Sequence, residues 1–101
     1  MDTQRRVAEF LDDNDLHAPP AYRVLDLASE VGELAKEVNT ATDYGDSPDS
    51  VAVAADELGD ALFCLLALCD ETDTDAERAL ETALAKYESR LDDTGDAGSG
   101  E

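Results

Sequence analysis

Two stretches of this chain each place a pair of carboxylates three residues apart. Glu30 and Glu33 lie in LASEVGELAKEV, and Glu57 and Asp60 lie in DELGDALFCLLALC. In a helix, side chains at this spacing project side by side from one face. Two such helices facing one another would turn four carboxylates toward one point, and oxygen ligands are those that Mg²⁺ prefers. The spacing therefore predicts a site for a divalent cation.

Acid pairs by themselves carry little information in this chain, because 26 of its 101 residues are Asp or Glu. It contains eight pairs at i,i+3, whereas composition alone gives roughly six or seven such helical neighbours. The other pairs are best explained as solvated surface. These two differ because each borders the most apolar part of its segment, and because a short polar connection would make the two segments antiparallel neighbours.

Hydrophobic periodicity predicts an all-α domain whose helices position these acids. The apolar residues recur at helical spacing, and Gly and Pro fall mainly between the periodic segments or near the C-terminus. Pro19 and Pro20 suit a helix start, as does Ser47 followed by Pro48. The stretch Thr74–Glu77 matches a capping box that starts the last helix. We expect four helices, over about 3–13, 20–40, 48–71 and 75–91, in a helical domain over 1–93 that is followed by a disordered acidic tail over 94–101.

Two apolar surfaces indicate how these helices pack. In the second helix Leu27, Val31, Leu34 and Val38 share one side, which we expect to be core. The third helix is apolar around its whole circumference over 61–69. Three other short helices can hardly cover it on all sides. We therefore expect a compact four-helix bundle that assembles as a homo-oligomer, most simply through a two-fold interface.

The formal net charge of −19, with only 7 basic residues, disfavours several classes of partner. No basic stripe is present for a nucleic acid backbone, and an anionic membrane surface is disfavoured for the same reason. No apolar run is long enough to span a bilayer. An acidic coat with two lysines is typical of a protein that works in concentrated salt, where charge repulsion is screened. Buried free thiols at Cys64 and Cys69 fit a reducing compartment, so we expect a halophilic, cytoplasmic protein.

The motif SEVGEL (29–34) followed by DELGD (56–60) resembles the E-E-x-x-E … E-x-x-D pattern of MazG-like, all-α nucleoside triphosphate pyrophosphohydrolases. The resemblance covers about residues 22–90. It implies a helical bundle, assembled as dimers or tetramers, that binds Mg²⁺ or Mn²⁺ and splits an NTP or dNTP into monophosphate and pyrophosphate. It also implies that the metal ligands are Glu30, Glu33, Glu57 and Asp60. Ser29 departs from the pattern, because many members have Glu at that position.

Other residues are candidates for catalysis and substrate binding. No glycine-rich phosphate loop is present, so phosphate must be handled by metal and by the few basic side chains. Glu30 and Glu33 are the catalytic candidates, with Glu33 as the base toward the attacking water. The resemblance to this family also implies that residues near the end of the last helix contact substrate. The candidates for substrate binding are Lys36, Lys86, Tyr87, Arg90 and His17. For the basic residues, the competing explanation is pairing with neighbouring surface acids. For His17, it is an exposed position in a loop or a capping role.

Three functions therefore compete for the same residues. The leading hypothesis is a magnesium-dependent hydrolase that removes non-standard or surplus nucleoside triphosphates. A catalytically inactive relative would instead hold a metal structurally or bind a regulatory nucleotide. The third hypothesis is a plain helical dimerisation domain with a salt-adapted surface. Pyrophosphate release separates the first from the others, and stabilisation by metal and nucleotide separates the second from the third.

Overall fold

The computed structural model describes residues 2–51 and 53–94, most of which lie in helices. No strand occurs in this described part, which confirms the all-α prediction. The expected tail lies, apart from Thr94, outside the described residues. None of the described helices combines the length and hydropathy that crossing a bilayer requires. The helices are α1 (Asp2–Asp13), α2 (Pro20–Ala41), α3 (Ala55–Glu71) and α4 (Ala76–Thr94), with a 3₁₀ turn at Pro48–Ser50.

The acidic helix α2 begins and ends where its local sequence favours it. Pro19 is extended, with φ −55° and ψ 143°, and Pro20 opens the helix, where a missing N–H costs nothing. At the other end the buried Thr42 hydroxyl donates a hydrogen bond of 2.7 Å to the Val38 carbonyl. The chain then turns through left-handed conformations that include Gly45 at φ 96°. Local chemistry therefore fixes the length of this helix.

The prediction that α3 starts at Pro48 is wrong, because the helix starts at Ala55. Residues Pro48–Ser50 form only a 3₁₀ turn, in which the Ser50 N–H donates a 3.0 Å hydrogen bond to the Ser47 carbonyl. Val51 is extended, with φ −59° and ψ 128°. Ser and Asp side chains compete for backbone hydrogen bonds, and β-branched valines lose rotamer freedom in a helix. The connection between α2 and α3 is therefore longer than the sequence suggests.

The start of α4 also differs from the capping-box prediction. The helix begins one residue later, and its cap is Asp75, whose carboxylate accepts a 3.2 Å hydrogen bond from the Arg78 N–H. The Thr74 hydroxyl instead bonds back to that of Thr72. At the other end α4 continues to Thr94, past the expected end near residue 91.

The side chain of Gln4 in α1 fastens the first turn of α4. Its amide donates a 2.7 Å hydrogen bond to the Thr74 carbonyl and accepts one of 2.8 Å from the Ala76 N–H. Beyond this point α4 has no extended packing against the other described helices. The radius of gyration of 16.4 Å exceeds the roughly 13 Å of a compact 100-residue domain. The four predicted helices are therefore confirmed, but within the single chain α4 projects from a bundle of three helices. A compact bundle of all four helices stays a prediction for the assembled protein.

Helix α3 is the centre of this three-helix bundle, because it lies against both α1 and α2. Phe63 of α3 meets Phe10 of α1 edge to face, with ring centroids 6.0 Å apart. On the same two helices Leu11, Leu66 and Ala67 are buried. The core is thus small, and it lies where α3 is covered by its two neighbours.

The apolar stripe predicted as the core side of α2 is only partly covered. Leu27, Leu34 and Val38 are half-buried. In contrast, Val31 is 51% exposed, and Val24 on the same flank is 49% exposed. No described helix packs over that flank. The predicted burial of Val31 is therefore wrong for a single chain, which has too few helices to cover it.

Candidate metal centre

Carboxylates of α2 and α3 meet where the two helices lie side by side. One oxygen from each of Glu30, Glu57 and Asp60 lies within 4.8 Å of the other two. Glu57 and Asp60 are neighbours because they are three residues apart on one helix. Glu30 reaches them from α2 because the two helices pack along each other. The structure thus brings together three of the four predicted metal ligands, which we call the carboxylate cluster.

Glu33, the fourth predicted ligand, lies almost one helical turn further along α2 and is exposed. It is outside the group of carboxylates that approach within 4.8 Å. Its negative charge nevertheless acts on the cluster, because it contributes to a raised pKa of Glu57. Glu33 lines a cleft of about 410 Å³ together with Lys36, Glu37 and Thr40. It therefore borders the cluster on the side where Lys36 supplies a positive charge.

Crowding of like charges raises the pKa of Glu57 above its ordinary value of 4.5. The charge of Glu37 is the largest cause, followed by partial desolvation and by the charges of Asp56, Asp60 and Glu33. Anions held together without a counter-ion repel one another, and a bound divalent cation removes that repulsion. A donor set made only of carboxylate oxygens fits a hard cation such as Mg²⁺.

A second cleft, of about 360 Å³, opens beside the cluster toward the start of α2. Glu30 and Asp60 form one part of its wall, and the side chains of Phe63 and Cys64 form another. Burial raises the pKa of the Cys64 thiol, and the charge of Glu30 raises it further, so the thiol stays neutral. The cluster is therefore flanked by a partly apolar cleft on one side and by a cleft containing a lysine on the other.

Sequence reasoning left two neighbouring acids outside the set of ligands. Asp26 lines the cleft beside Cys64, and Glu37 has the strongest effect on the pKa of Glu57. Helical periodicity puts both on the acidic face that carries Glu30. It does not tell which acids of that face meet the carboxylates of α3, because this depends on how the two helices pack.

Lys86, Tyr87 and Arg90, predicted to bind substrate, form a small cluster on α4. The Lys86 Nζ lies 5.1 Å from the centroid of the Tyr87 ring, and the Arg90 guanidinium carbon lies 5.8 Å from it. Such contacts are favourable cation–π interactions. Because α4 does not pack along α2 or α3, the single chain does not bring these residues to the carboxylate cluster. Their role in substrate binding stays a prediction.

His17 lies toward the other end of α3, away from the carboxylate cluster. Its Nδ1 is 2.8 Å from Glu71 Oε1, and its Nε2 is 2.5 Å from Asp12 Oδ1. Glu71 is about 21 Å from Glu57 along the helix axis. The hydrogen bonds to Asp12 and then to Glu71 raise the pKa of His17 to about 8. Within one chain His17 fastens the α1–α2 connection to α3, and its contact with substrate stays a prediction.

The carboxylate of Glu71 is the centre of this second group of polar side chains. It accepts a 2.5 Å hydrogen bond from the Ala18 N–H, and the Nε of the buried Arg23 is 3.7 Å away. The backbone bond and the pairing with His17 lower the pKa of Glu71. His17, Asp70 and Glu71 also lie within 4.8 Å of one another. Protein partners already neutralise Glu71, so we assign no ion to this group.

Comparisons with known proteins agree with this arrangement of helices and acids. A family model described as the MazG nucleotide pyrophosphohydrolase domain matches residues 21–94, which include the whole carboxylate cluster. The chain is also 33% identical over 75 residues to an uncharacterized protein, YpjD, of Bacillus subtilis strain 168. That match covers 70% of this chain and 66% of the relative, so the chain spans slightly less than two thirds of the relative's length. No solved structure matches significantly.

Proposed function

This chain belongs to the family of MazG nucleotide pyrophosphohydrolase domains, and we propose that it hydrolyses nucleoside triphosphates to monophosphate and pyrophosphate with the help of Mg²⁺. The observation that carries the proposal is the approach of Glu30, Glu57 and Asp60 to within 4.8 Å of one another. Mn²⁺ is the expected substitute, because it also prefers carboxylate and water ligands. The proposed role is removal of non-standard or surplus nucleotides.

The carboxylate cluster is the proposed metal site. Glu30, Glu57 and Asp60 supply the ligands, and Glu33, the fourth ligand that the resemblance implies, lies beside them on the next turn of α2. A bound divalent cation supplies charge neutralisation to the triphosphate and lowers the pKa of a coordinated water. Such an ion normally leaves part of its shell to substrate phosphates and water, which suits a cluster whose Glu30 and Asp60 line an open cleft.

The residues around the cluster have separate proposed roles. Glu33 acts as the base that takes a proton from the attacking water, because it borders the ligands without belonging to the group within 4.8 Å. Lys36, which lines the same cleft, contacts the phosphates. The partly apolar cleft beside Phe63 and Cys64 is the better place for the nucleoside. This arrangement would orient the triphosphate along the α2–α3 pair.

The setting of this activity follows from charge. We propose that the protein works in the cytoplasm of a cell with concentrated internal salt, because its net charge is −19 and its thiols are free. We also propose that it works as a homo-oligomer, because the flank of α2 at Val31 is uncovered in the single chain. We also propose that four further residues contact substrate: Lys86, Tyr87, Arg90 and His17. None of them lies at the carboxylate cluster of its own chain, so another copy has to bring them there. We expect no nucleic acid or membrane partner for so acidic a chain.

A nucleotide panel tests the proposal. The protein is incubated in concentrated KCl with each NTP and dNTP and with Mg²⁺ or Mn²⁺, and the products are separated by chromatography. We expect a monophosphate and pyrophosphate in equal amounts, with loss of turnover in Glu57→Gln and Asp60→Asn. Glu9→Gln, an exposed acid of α1, is the matched control and should stay active.

Two results would contradict the proposal in different ways. Undiminished turnover in Glu57→Gln would remove the carboxylate cluster from the reaction. Stabilisation by metal and nucleotide without any product would favour the regulatory binding module, since a ligand that binds the folded state raises its melting temperature whether or not it reacts.

A further inference from the structure

The cleft that opens from the carboxylate cluster toward the start of α2 has two unlike walls. Helix α2 lines it with Asp26, Ser29 and Glu30, and α3 lines it with Asp60, Phe63 and Cys64. Each row has the spacing i, i+3 and i+4, which is one face of a helix. Glu30 and Asp60 belong to the carboxylate cluster, so the cleft begins at the proposed metal site and continues along both helices.

The hydroxyl of Ser29 in this wall is available to a ligand. Elsewhere, hydroxyls in or at the ends of the helices donate to the carbonyl four residues earlier, at 2.7–3.0 Å, as in Thr40, Thr42, Thr72 and Thr82. Ser29 makes no such bond, and its side chain has no hydrogen-bond partner in the described part of the chain. A serine hydroxyl both donates and accepts, so Ser29 can pair with another hydroxyl.

The carboxylate of Asp26 stands beside that hydroxyl, because the two residues are three apart on one helix. Its Oδ2 lies 3.9 Å from Nη1 of the buried Arg23, which is an ion pair but too long for a hydrogen bond. The Nη2 of Arg23 donates instead to the Leu16 carbonyl. Within residues 2–51 and 53–94, Asp26 therefore keeps its hydrogen-bonding capacity while a cation lies close to its charge.

Asp26 is placed for a part of the substrate other than the ion. It is outside the group of carboxylates that approach within 4.8 Å, and it lies one helical turn, about 6 Å along the axis, from Glu30. In a nucleotide the sugar is joined to the α-phosphate through one oxygen and one carbon. When the phosphates meet the ion at the cluster, the sugar therefore lies within about one turn of Glu30, and the base lies beyond it.

From this geometry we propose that Asp26 and Ser29 bind the 2′- and 3′-hydroxyls of ribose, so that the chain selects ribonucleoside triphosphates over their 2′-deoxy counterparts. A carboxylate that accepts a hydrogen bond from the ribose 2′-hydroxyl is a recurring device in nucleotide sites. A 2′-deoxy sugar leaves that acceptor without its donor. The inference rests on the proposed hydrolase function and adds the sugar that the site selects.

The test compares each NTP with the dNTP of the same base, in concentrated KCl with Mg²⁺. For every base we expect kcat/KM to be about 10- to 100-fold higher for the NTP, which is the range of a hydrogen bond to a charged group. Asp26→Ala and Ser29→Ala should bring this ratio toward one by slowing the NTP and not the dNTP, and alanine keeps α2 helical. Asp13→Ala, an exposed acid of α1, is the matched control and should keep the wild-type ratio.

Binding measurements separate this inference from the hydrolase proposal. Without nucleotide, Asp26→Ala should keep the rise in melting temperature that Mg²⁺ gives, because Asp26 is outside the group within 4.8 Å. If the protein turns over no nucleotide, the hydrolase proposal fails. The α,β-methylene analogues of ATP and dATP, which resist this hydrolysis, then test sugar selection alone. With Mg²⁺ the ribose analogue should raise the melting temperature more, since stabilisation follows affinity for the folded state.

Four results would overturn the inference. One is equal kcat/KM for NTP and dNTP in the wild type, or equal or absent stabilisation by the two analogues. Another is a ratio that survives both alanine variants. A third is a changed preference among the four bases in Asp26→Ala with the sugar ratio intact, because the carboxylate would then contact the base. The last is loss of the Mg²⁺-induced stabilisation in Asp26→Ala, which would make Asp26 a metal ligand.

Discussion

His17 and Glu71 are joined by a contact of 2.8 Å between the imidazole Nδ1 and the carboxylate Oε1, although 54 positions separate them in the sequence. The second ring nitrogen is held by Asp12. The α1–α2 connection is therefore fastened to the end of α3 by a histidine that is charged at neutral pH, since its pKa is raised to about 8.

This contact predicts a specific dependence of stability on pH. The pKa of His17 in the folded state is above the ordinary 6.5. Its contribution to the free energy of unfolding is therefore fully present below about pH 6.5 and is lost as the pH rises through about 8. The melting temperature of the wild type should therefore fall between about pH 6.5 and pH 8. His17→Gln should be less stable at pH 6.5 and should show a flatter profile up to pH 8.

Glu71, the partner of His17, determines how the stability from this contact changes at acid pH. The pKa of Glu71 is lowered from 4.5, chiefly by the Ala18 N–H, so its contribution is present above that value and is lost as the pH falls through the folded pKa. Glu71→Gln should also reduce the His17-dependent slope near pH 8 without removing it, because Asp12, the larger cause of the raised His17 pKa, remains. Parallel unfolding profiles for wild type and His17→Gln would contradict this account.

Glu57 predicts a trade-off between stability and metal binding. Its pKa is raised, so ionisation in the folded state is unfavourable and the penalty is present above the folded pKa and absent below 4.5. At neutral pH, Glu57→Gln should raise the melting temperature of the metal-free protein and abolish the further rise that Mg²⁺ gives. Turnover should fall by at least about 100-fold, since even outer-shell partners of a metal are worth 10–100-fold.

The control for this prediction is Glu9→Gln, which changes the net charge equally but lies on α1. It should leave the Mg²⁺-induced shift in melting temperature intact. If both variants stabilise the metal-free protein equally, the effect is one of overall charge, and the local repulsion assigned to Glu57 is wrong.

Gln4 predicts how firmly α4 is anchored. Gln4→Ala removes two hydrogen bonds, each with a net value of about 0.5–1.5 kcal/mol, so the free energy of unfolding should fall by about 1–3 kcal/mol. Hydrogen exchange should accelerate at the amides of the first turn of α4, beginning with Ala76. Unchanged protection there, with Gln4 removed, would show that Asp75 alone holds the turn.

Salt should act on the whole molecule. With a net charge of −19, raising KCl from about 0.1 M to about 2 M should increase the melting temperature, because screening shortens the range of repulsion to a few ångströms. Equal stability in dilute and concentrated salt would contradict the proposal of salt adaptation. Measuring the melting temperature in sucrose solutions of matched viscosity separates ionic screening from a general co-solvent effect.

Local sequence was a good guide wherever neighbours along the chain decide the outcome. The starts of α1 and α2 and the end of α3 follow the predicted pattern. The start of α3 does not, because a serine–proline cap was outweighed by the valines and polar residues that follow it. The cap of α4 is displaced by one residue for a similar reason, since both Thr74 and Asp75 are able to cap a helix.

The roles of particular acids required more than the pattern. Periodicity grouped Glu30, Glu33 and Glu37 on one face of α2, and composition made such groups common. Only the packing of α2 on α3 brings Glu30 to Glu57 and Asp60, and leaves Glu33 at the border. The network at Glu71 was not predictable at all, because its members come from three separate segments.

The sequence by itself determined the helical class, the paired carboxylates and the excess of apolar surface, because these depend on residue type and on distances of three or four positions. The tertiary structure alone decided which carboxylates meet, where His17 goes and that α4 leaves its own bundle. Those outcomes depend on contacts between residues far apart in the chain, and on how much apolar surface three helices are able to cover.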